Sequence, residues 1–337
     1  MKTEIATRVL VTGGTGFVAG WCIRELLDRG YAVRATLRDP AHAPAVRAAA
    51  GEPGDRLTFA AADLLRDDGW DAAMAGCDRV LHVASPLGSA VRDPDALVAP
   101  ARDGTLRVLR AATRAGVARV VMTSAAATAR PARGSNDASD ETVWTDPTDR
   151  KLDGYRRSKV LAERAAWDVM ASAPGPTTLT TILPGAVFGP VLARDRIGSA
   201  QVIQRLLDGK PPAIPRFGFW VVDVRDLAAL HVRAMIAPEA AGQRFIAAGE
   251  FVWLREVAAT LRVRLGARAG KVPTRDMPDF AVRMLALVIP QLRMLAPDLG
   301  HRIDLRSDKA RRVLGFAPRP AATTIVDCAE SLLGPAA

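Results

Sequence analysis

Short β-branched apolar runs alternate with longer stretches of helical periodicity through the first half of the chain. Residues 8–12 (RVLVT) read as a strand, and 18–29 as an amphipathic helix that Gly30 ends. Residues 32–37, 57–61 and 79–83 supply three more strands. A helix over 95–115 leads through Gly116 to another strand at 118–123. Parallel strands need long crossovers, and crossover helices cover both faces of the sheet they join. The rhythm therefore predicts an α/β protein with a doubly wound parallel sheet.

Residues 130–154 break this rhythm with Asp, Ser, Asn, Pro and Gly, and a loop of that length in a compact domain is usually functional or disordered. The rhythm resumes as a long helix over 155–171 and a strand at 178–183, just before Pro184-Gly185. Beyond Gly189 the pattern is irregular, with helices near 199–208, 226–236 and 253–264 and short strands near 220–224 and 244–248. These changes divide the chain into a sheet domain over 1–188 and a smaller lobe over 189–337, whose segments can cross back to the sheet. The apolar stretch 280–295 carries Arg283, Pro290 and Arg293, which favours a kinked helix over a cleft rather than a membrane segment. No internal repeat is visible.

Apolar residues make up 49% of the 337 positions and charged residues 24%, an ordinary globular balance. No run approaches the roughly 18 apolar residues of a membrane span, and the apolar start, Val9 to Val11, stops at glycine without a cleavage signal. A cytoplasmic protein with no membrane partner is the expectation. Cys22, Cys77 and Cys328 lie far apart and form no metal-ligand spacing, so they read as small core residues. The net charge of +10 raises the question of nucleic acid. Its 40 arginines and 6 lysines are scattered without a long run. A solvated basic surface that attracts anionic ligands is the better reading, and no nucleic-acid partner is expected.

Thr12-Gly13-Gly14-Thr15-Gly16-Phe17-Val18-Ala19 joins the first strand directly to the first helix. A dinucleotide's pyrophosphate needs backbone N–H donors at a helix N-terminus with no Cβ in the way. Gly13 permits the tight turn, Gly16 permits close approach of a phosphate, and Ala19 is small enough for helix and strand to pack. A plain strand–helix turn is the alternative, but the context is what a dinucleotide site requires. The second strand ends in Arg38-Asp39. An arginine there suits the 2′-phosphate of NADP(H), whereas an acid suits the ribose hydroxyls of NAD(H). Arg38 comes first, so NADP(H) is favoured while NAD(H) stays open. Asp63-Leu64 after the third strand borders the expected adenine position, unless Asp63 is simply a cap.

Tyr155 and Lys159 stand four apart on the long helix and so share one face. With only 2 tyrosines and 6 lysines in the chain, such a pair seldom arises by chance. A phenol titrates near ~10 and gives up its proton reluctantly. A neighbouring ammonium favours the phenolate and can also bond a ribose.

With turn, Arg38 and Tyr-xxx-Lys in this order, the chain resembles the extended short-chain dehydrogenase/reductases, NAD-dependent epimerase/dehydratase-like proteins. Within them it is most similar to the dihydroflavonol 4-reductase and cinnamoyl-CoA reductase group. The similarity runs from VTGGTGFVAGW at 11–21, VRATLRDP at 33–40 and LHVASP at 81–86, through VVMTS at 120–124 and YRRSKVLAERAAW at 155–167. It continues in LPGAVFGP at 183–190, VVDVRDLAALHVRAM at 221–235 and DKARRVLGF at 308–316. The resemblance implies a Rossmann-type sheet with a C-terminal substrate lobe. It also implies that Thr15, Gly16, Phe17 and Val18 surround the pyrophosphate, and that Val83, Ala84 and Ser85 line the middle of the cofactor. Tyr155 becomes proton donor and Lys159 its cationic partner, while backbone near Pro184 and Val187 meets the nicotinamide carboxamide.

Three positions depart from the group. Ala45 stands where plant reductases place a second lysine for the 2′-phosphate. Ala125 stands at the usual catalytic hydroxyl, leaving Ser124 and Thr128 as the nearest substitutes. A strand sends alternate residues to opposite faces, so Ser124 can serve only if the strand ends before it and the loop brings it round. Arg130 occupies a substrate-contacting Asn position and favours an anionic or strongly polar substrate over a plant flavonoid.

The expected protein is an NADPH-dependent reductase of ketones or aldehydes acting on a small molecule, as monomer or homodimer. An NAD-dependent hydroxysteroid-like alcohol dehydrogenase, a sugar-nucleotide epimerase or dehydratase, and a non-enzymatic NADP(H)-sensing protein are the alternatives. A DNA-binding role rests on charge alone and ranks last.

Overall fold

Val9, Leu10 and Val11 are all fully buried, the signature of a strand covered on both faces. They form β1 (Arg8–Val11), the centre of a seven-stranded sheet in the computed structural model of the protein. The model describes residues 7–86, 94–132, 135, 137–149, 152–193, 197–289, 292 and 296–334. The other early strands are β2 (Ala32–Leu37), β3 (Leu57–Ala61), β4 (Arg79–His82), β5 (Arg119–Thr123) and β6 (Thr178–Pro184). Three short strands follow, β7 (Ala186–Phe188), β8 (Ile214–Pro215) and β9 (Gly218–Asp223), and then β10 (Gln243–Ala247). The large sheet has the order β10-β6-β5-β4-β1-β2-β3, and every pairing in it is parallel. The strand order reverses between β1 and β4, which opens a crevice at their carboxyl ends.

Helices close both faces, as the alternation requires. One side packs α1 (Phe17–Asp28) with α2 (Ala43–Ala49) and α7 (Val224–Ile236) onto Val9, Val11, Leu81 and Val121. The other carries α3 (Trp70–Met74), α4 (Val98–Arg114) and α5 (Gly154–Ala171) on Leu10, Val80, Val120 and Met122. Helix α7 and strand β10 both come from beyond residue 188, so the later chain supplies part of the sheet and its cover.

A separate apolar cluster holds the smaller lobe together. It is built on α6 (Gln201–Leu207), α8 (Leu254–Leu265) and the final helix Ala321–Leu333. A small sheet of order β11-β9-β7 lies against it, with β11 at Phe251–Trp253, and β12 (Asp276–Met277) pairs with β8. Cys22, Cys77 and Cys328 are buried free thiols, one in each of three separate clusters.

Of the segment expected as a kinked helix, the described residues form α9 (Asp279–Leu285) and a helical position at Leu292, while Pro290 and Arg293 lie outside the described residues. Val282 turns inward and is fully buried, whereas Phe280, Met284, Leu287 and Val288 are exposed. The long polar stretch after residue 130 is pinned where it is described. Ser139 bridges to Leu305 and takes Asp304 O through its amide, while Thr145 exchanges hydrogen bonds with Ala127, Thr128 and Arg130.

Candidate active site

The glycine turn sits at the crevice. Gly13 has φ +71°, and a Cβ there would come within 3.0 Å of the Ala84 Cβ. The turn and the exit of β4 therefore approach as closely as a missing side chain allows. Gly16 is the N-cap of α1 and offers no side-chain cap, so the first-turn amides of Phe17 and Val18 face an open helix end where an anion is favoured.

The sequence reading missed the polar frame beneath this turn. Thr12 Oγ1 accepts the amides of Val83 and Ala84 at 3.1 and 3.0 Å, so its own proton goes to His82 Nδ1, 2.9 Å away. The His82 ring then carries its hydrogen on Nε2, facing Thr105. Burial, with the Lys159 charge nearby, pushes His82 down to about 3 and keeps it neutral. Thr36 adds a second strut by accepting the Gly13 amide at 2.9 Å. These contacts fix Val83 and Ala84 beside Gly13, with Ser85 next along the chain.

At the end of β2 the two candidate groups separate. Asp39 spends a carboxylate oxygen on the Ala41 amide, capping the turn that follows. Arg38 is exposed, with no hydrogen-bond or ion-pair partner among the described residues. The cation, not the acid, is left for a ligand. Asp63 Oδ1 accepts the Leu65 amide, and the Leu64 carbonyl is held by Arg107, so this pair forms a fixed turn at the end of β3. A cleft runs from Gly14, Thr15, Gly16 and Phe17 to His42, Ala45 and Leu192. It covers the turn end of the groove and does not reach Tyr155. Pro184 ends β6 and Val187 lies in β7; between them a Cβ on Gly185 would collide with the Trp220 carbonyl, so only glycine lets β9 pass here.

Tyr155 and Lys159 lie in the first turns of α5, whose N-terminus Asp153 caps by accepting the Arg156 amide. Burial pushes the Tyr155 phenol up to about 12, Asp153 adds to the rise and Arg156 opposes it. Burial pushes the Lys159 ammonium down to about 8, with the Glu163 carboxylate resisting. Lys159 is only 6% exposed and has no hydrogen-bond partner among the described residues. A buried ammonium costs free energy unless it is paired, so this one points to a ligand. The open helix end, the close Gly13 turn, Arg38 and Lys159 together fit a phosphorylated dinucleotide.

The expectation for Ser124 needs correction. Its amide still bonds Ile182 O at 2.7 Å, so the backbone stays in strand register instead of turning away. Its hydroxyl donates to Glu163 Oε2 at 2.5 Å, and the residue is buried. Its neighbour Thr123 goes to the opposite side and donates to His231 Nε2, because His231 Nδ1 faces the Leu227 carbonyl and holds the ring hydrogen. Thr128 donates to Ala125 O and receives Arg244. All three hydroxyls around Ala125 are committed within the protein. Arg130 is likewise engaged, making a two-point pair with Asp298, which also accepts Arg156.

A fully parallel sheet with an uncapped glycine turn at its switch point, and Tyr155 one turn from a buried Lys159 on α5, defines a dinucleotide-dependent enzyme. Residues 9–248 match the model of the NAD dependent epimerase/dehydratase family. The chain belongs to that family and is an oxidoreductase within it. It is 37% identical to cinnamoyl-CoA reductase 1 of Oryza sativa subsp. japonica over 75% of each chain. It is 31% identical to ketoreductase azaE of Aspergillus niger over 98% of each. Among solved structures, yeast methylglyoxal/isovaleraldehyde reductase Gre2 complexed with NADPH superposes with TM-score 0.83 at 27% identity. That match covers 97% of this chain and 98% of the other.

Proposed function

We propose that this protein is an NADPH-dependent reductase of ketones or aldehydes, with Tyr155 as the proton donor. The observation that carries the reading is the geometry of the pair on α5, where Tyr155 stands one turn from a buried Lys159 that has no hydrogen-bond partner among the described residues. A phenol is protonated at neutral pH, as the acid in a carbonyl reduction must be. Bound NADPH supplies the hydride. Tyr155 gives its proton to the carbonyl oxygen as charge develops there. Lys159 bonds the ribose hydroxyls and offsets the phenolate charge that forms. Phe17 and Val18 amides take the pyrophosphate, and Arg38 takes the 2′-phosphate through a charge-assisted bond. Backbone at Pro184 and Val187 orients the carboxamide, and Asp63-Leu64 borders the adenine.

The cinnamoyl-CoA, ketone and methylglyoxal reductases among the relatives support a carbonyl substrate. The test is a panel of aldehydes, ketones and alcohols followed at the NADPH absorbance, with NADH in parallel. Carbonyl reduction faster than alcohol oxidation at neutral pH is the expected result. Tyr155→Phe should lower kcat by about a hundredfold or more while leaving the NADPH dissociation constant nearly unchanged, since only the proton is removed. A variant keeping more than about a tenth of kcat excludes Tyr155 as the donor.

A further inference from the structure

Glu163 has no place in the chemistry above, yet it is fully buried one helical turn beyond Lys159 and two beyond Tyr155. Its carboxylate takes Arg244 Nε at 2.9 Å, Thr181 Oγ1 at 2.8 Å and Ser124 Oγ at 2.5 Å. Arg244, itself 7% exposed, lies on β10 and reaches outward from this pair. It donates to the carbonyls of Glu141 and Val143, to Thr128, and lies 3.7 Å from the centre of the Trp144 ring. One ion pair thus joins four parts of the site: the helix of Tyr155 and Lys159, the exit of β5, strand β6, and the segment 141–145.

With Trp167 Nε1 at 3.4 Å as a fourth donor, the buried carboxylate has a fixed position, and every partner inherits that position. We propose that the Glu163–Arg244 pair is the positioning device of this active site, and that Ser124 serves as one of its hydrogen-bond donors rather than as a catalytic residue. The inference rests on the carbonyl-reductase reading. The pair sets the distance between α5 and the strand exit at Ala125, and so the alignment of the phenol with the substrate oxygen. A small shift there costs rate without removing any reacting group.

The experiment compares Ser124→Ala, Glu163→Gln and the double variant, reading kcat, both Michaelis constants and the thermal midpoint. Glu163→Gln keeps the shape but loses the charge that Arg244 requires. It should lower kcat about tenfold or more with the NADPH Michaelis constant little changed, and Glu163→Asp should restore only part of the rate. Ser124→Ala should lower kcat less than about fivefold and add nothing in the Glu163→Gln background, because both act through one node. A loss of about a hundredfold on Ser124→Ala alone would overturn the inference, since that is the size of a transition-state donor. So would full kcat in a folded Glu163→Gln. If Glu163→Gln does not fold, the Ser124→Ala rate still decides the role of Ser124. If the unmodified protein reduces no carbonyl, the parent reading fails by itself. Hydrogen exchange then decides the positioning claim. Exchange at 124–130 and 141–145 must quicken in Glu163→Gln and stay unchanged in Ser124→Ala, and equal protection in both overturns it.

Discussion

At the residue scale, burial decides which protonation states the site can use. Lys159 is charged at neutral pH and loses its proton at about 8 in the free protein, because desolvation outweighs the pull of Glu163. A lysine lowered in this way holds ribose and phosphate as an ammonium below that pH and as a neutral amine above it. The NADPH dissociation constant should therefore be flat from about pH 6.5 to about 8, then rise by at most about tenfold per pH unit. Lys159→Arg should flatten the rise, because a guanidinium keeps its charge throughout the range. A fluorescence titration of both proteins across that range checks it, and a fall in dissociation constant above pH 8 contradicts the assignment. Arg38 tests the other end of the cofactor. The charge-assisted phosphate contact proposed for it would be worth about 1.5–3 kcal/mol, so Arg38→Ala should weaken NADPH by roughly ten- to hundredfold and leave NADH nearly unchanged. Equal affinity of the unmodified protein for the two cofactors would remove the role given to Arg38.

At the scale of elements, the exit of β5 explains why a string of hydroxyls in the sequence does not amount to a hydroxyl in the site. Strand pairing continues through Ser124 N to Ile182 O, so alternation sends Thr123 to His231 on α7 and Ser124 to Glu163 on α5. The next residue, Ala125, is extended at φ −156°, ψ 149° and has no hydroxyl to give. In the proposed reaction Tyr155 would polarise the carbonyl with no second donor from this strand exit. Supplying one should help: Ala125→Ser should raise kcat by about tenfold or more, part of the roughly 2.7–4 kcal/mol that an oxyanion donor contributes elsewhere. A steady-state comparison checks this, and an unchanged or lower kcat in a stable variant would mean that position 125 does not face the reacting oxygen.

At the scale of the whole molecule, charge joins the smaller lobe to the catalytic helix. Asp298, largely buried, is held by Arg130 from the loop after β5 and by Arg156, the residue next to Tyr155. Arg156 also pairs with Asp153 at the cap of α5. Burial works to raise the Asp298 carboxyl, but the two arginines outweigh it and hold it below its ordinary range. A carboxyl lowered by folding stabilises the folded state fully above its unfolded pKa of about 4, and that contribution is lost as pH falls through the folded value. Asp298→Ala should cost about 3 kcal/mol near neutral pH, because it leaves the partly buried Arg130 without its carboxylate and Arg156 with Asp153 alone. Urea unfolding at neutral pH reads the loss, and at about pH 3 the difference from the unmodified protein should shrink. A difference that stays constant with pH would mean that the cost is packing, not charge.

The local patterns were legible from the sequence because each depends on neighbours along the chain. Short β-branched apolar runs and single glycines identified the parallel strands from β1 to β6. A turn with no room for a Cβ marked the switch point, and a spacing of four put Tyr155 and Lys159 on one face. What joins segments far apart in sequence was not legible. Nothing near Ser124 announces that Glu163, 39 positions on, takes its proton, or that Arg244, 81 further, holds Glu163. Arg130 read as a free cation until Asp298, 168 residues away, closed on it. The apolar stretch after residue 279 read as cleft cover, yet in α9 Val282 is buried while Phe280 and Met284 face outward. The sequence by itself determined the sheet, the phosphate turn and the residue types of the reacting pair, because short-range sterics and periodicity act between adjacent residues. Only the tertiary structure decided which hydroxyls are spent, which charges are paired and how far each proton is held from its ordinary range. Desolvation and Coulombic contact depend on distance in space, and folding alone sets that distance.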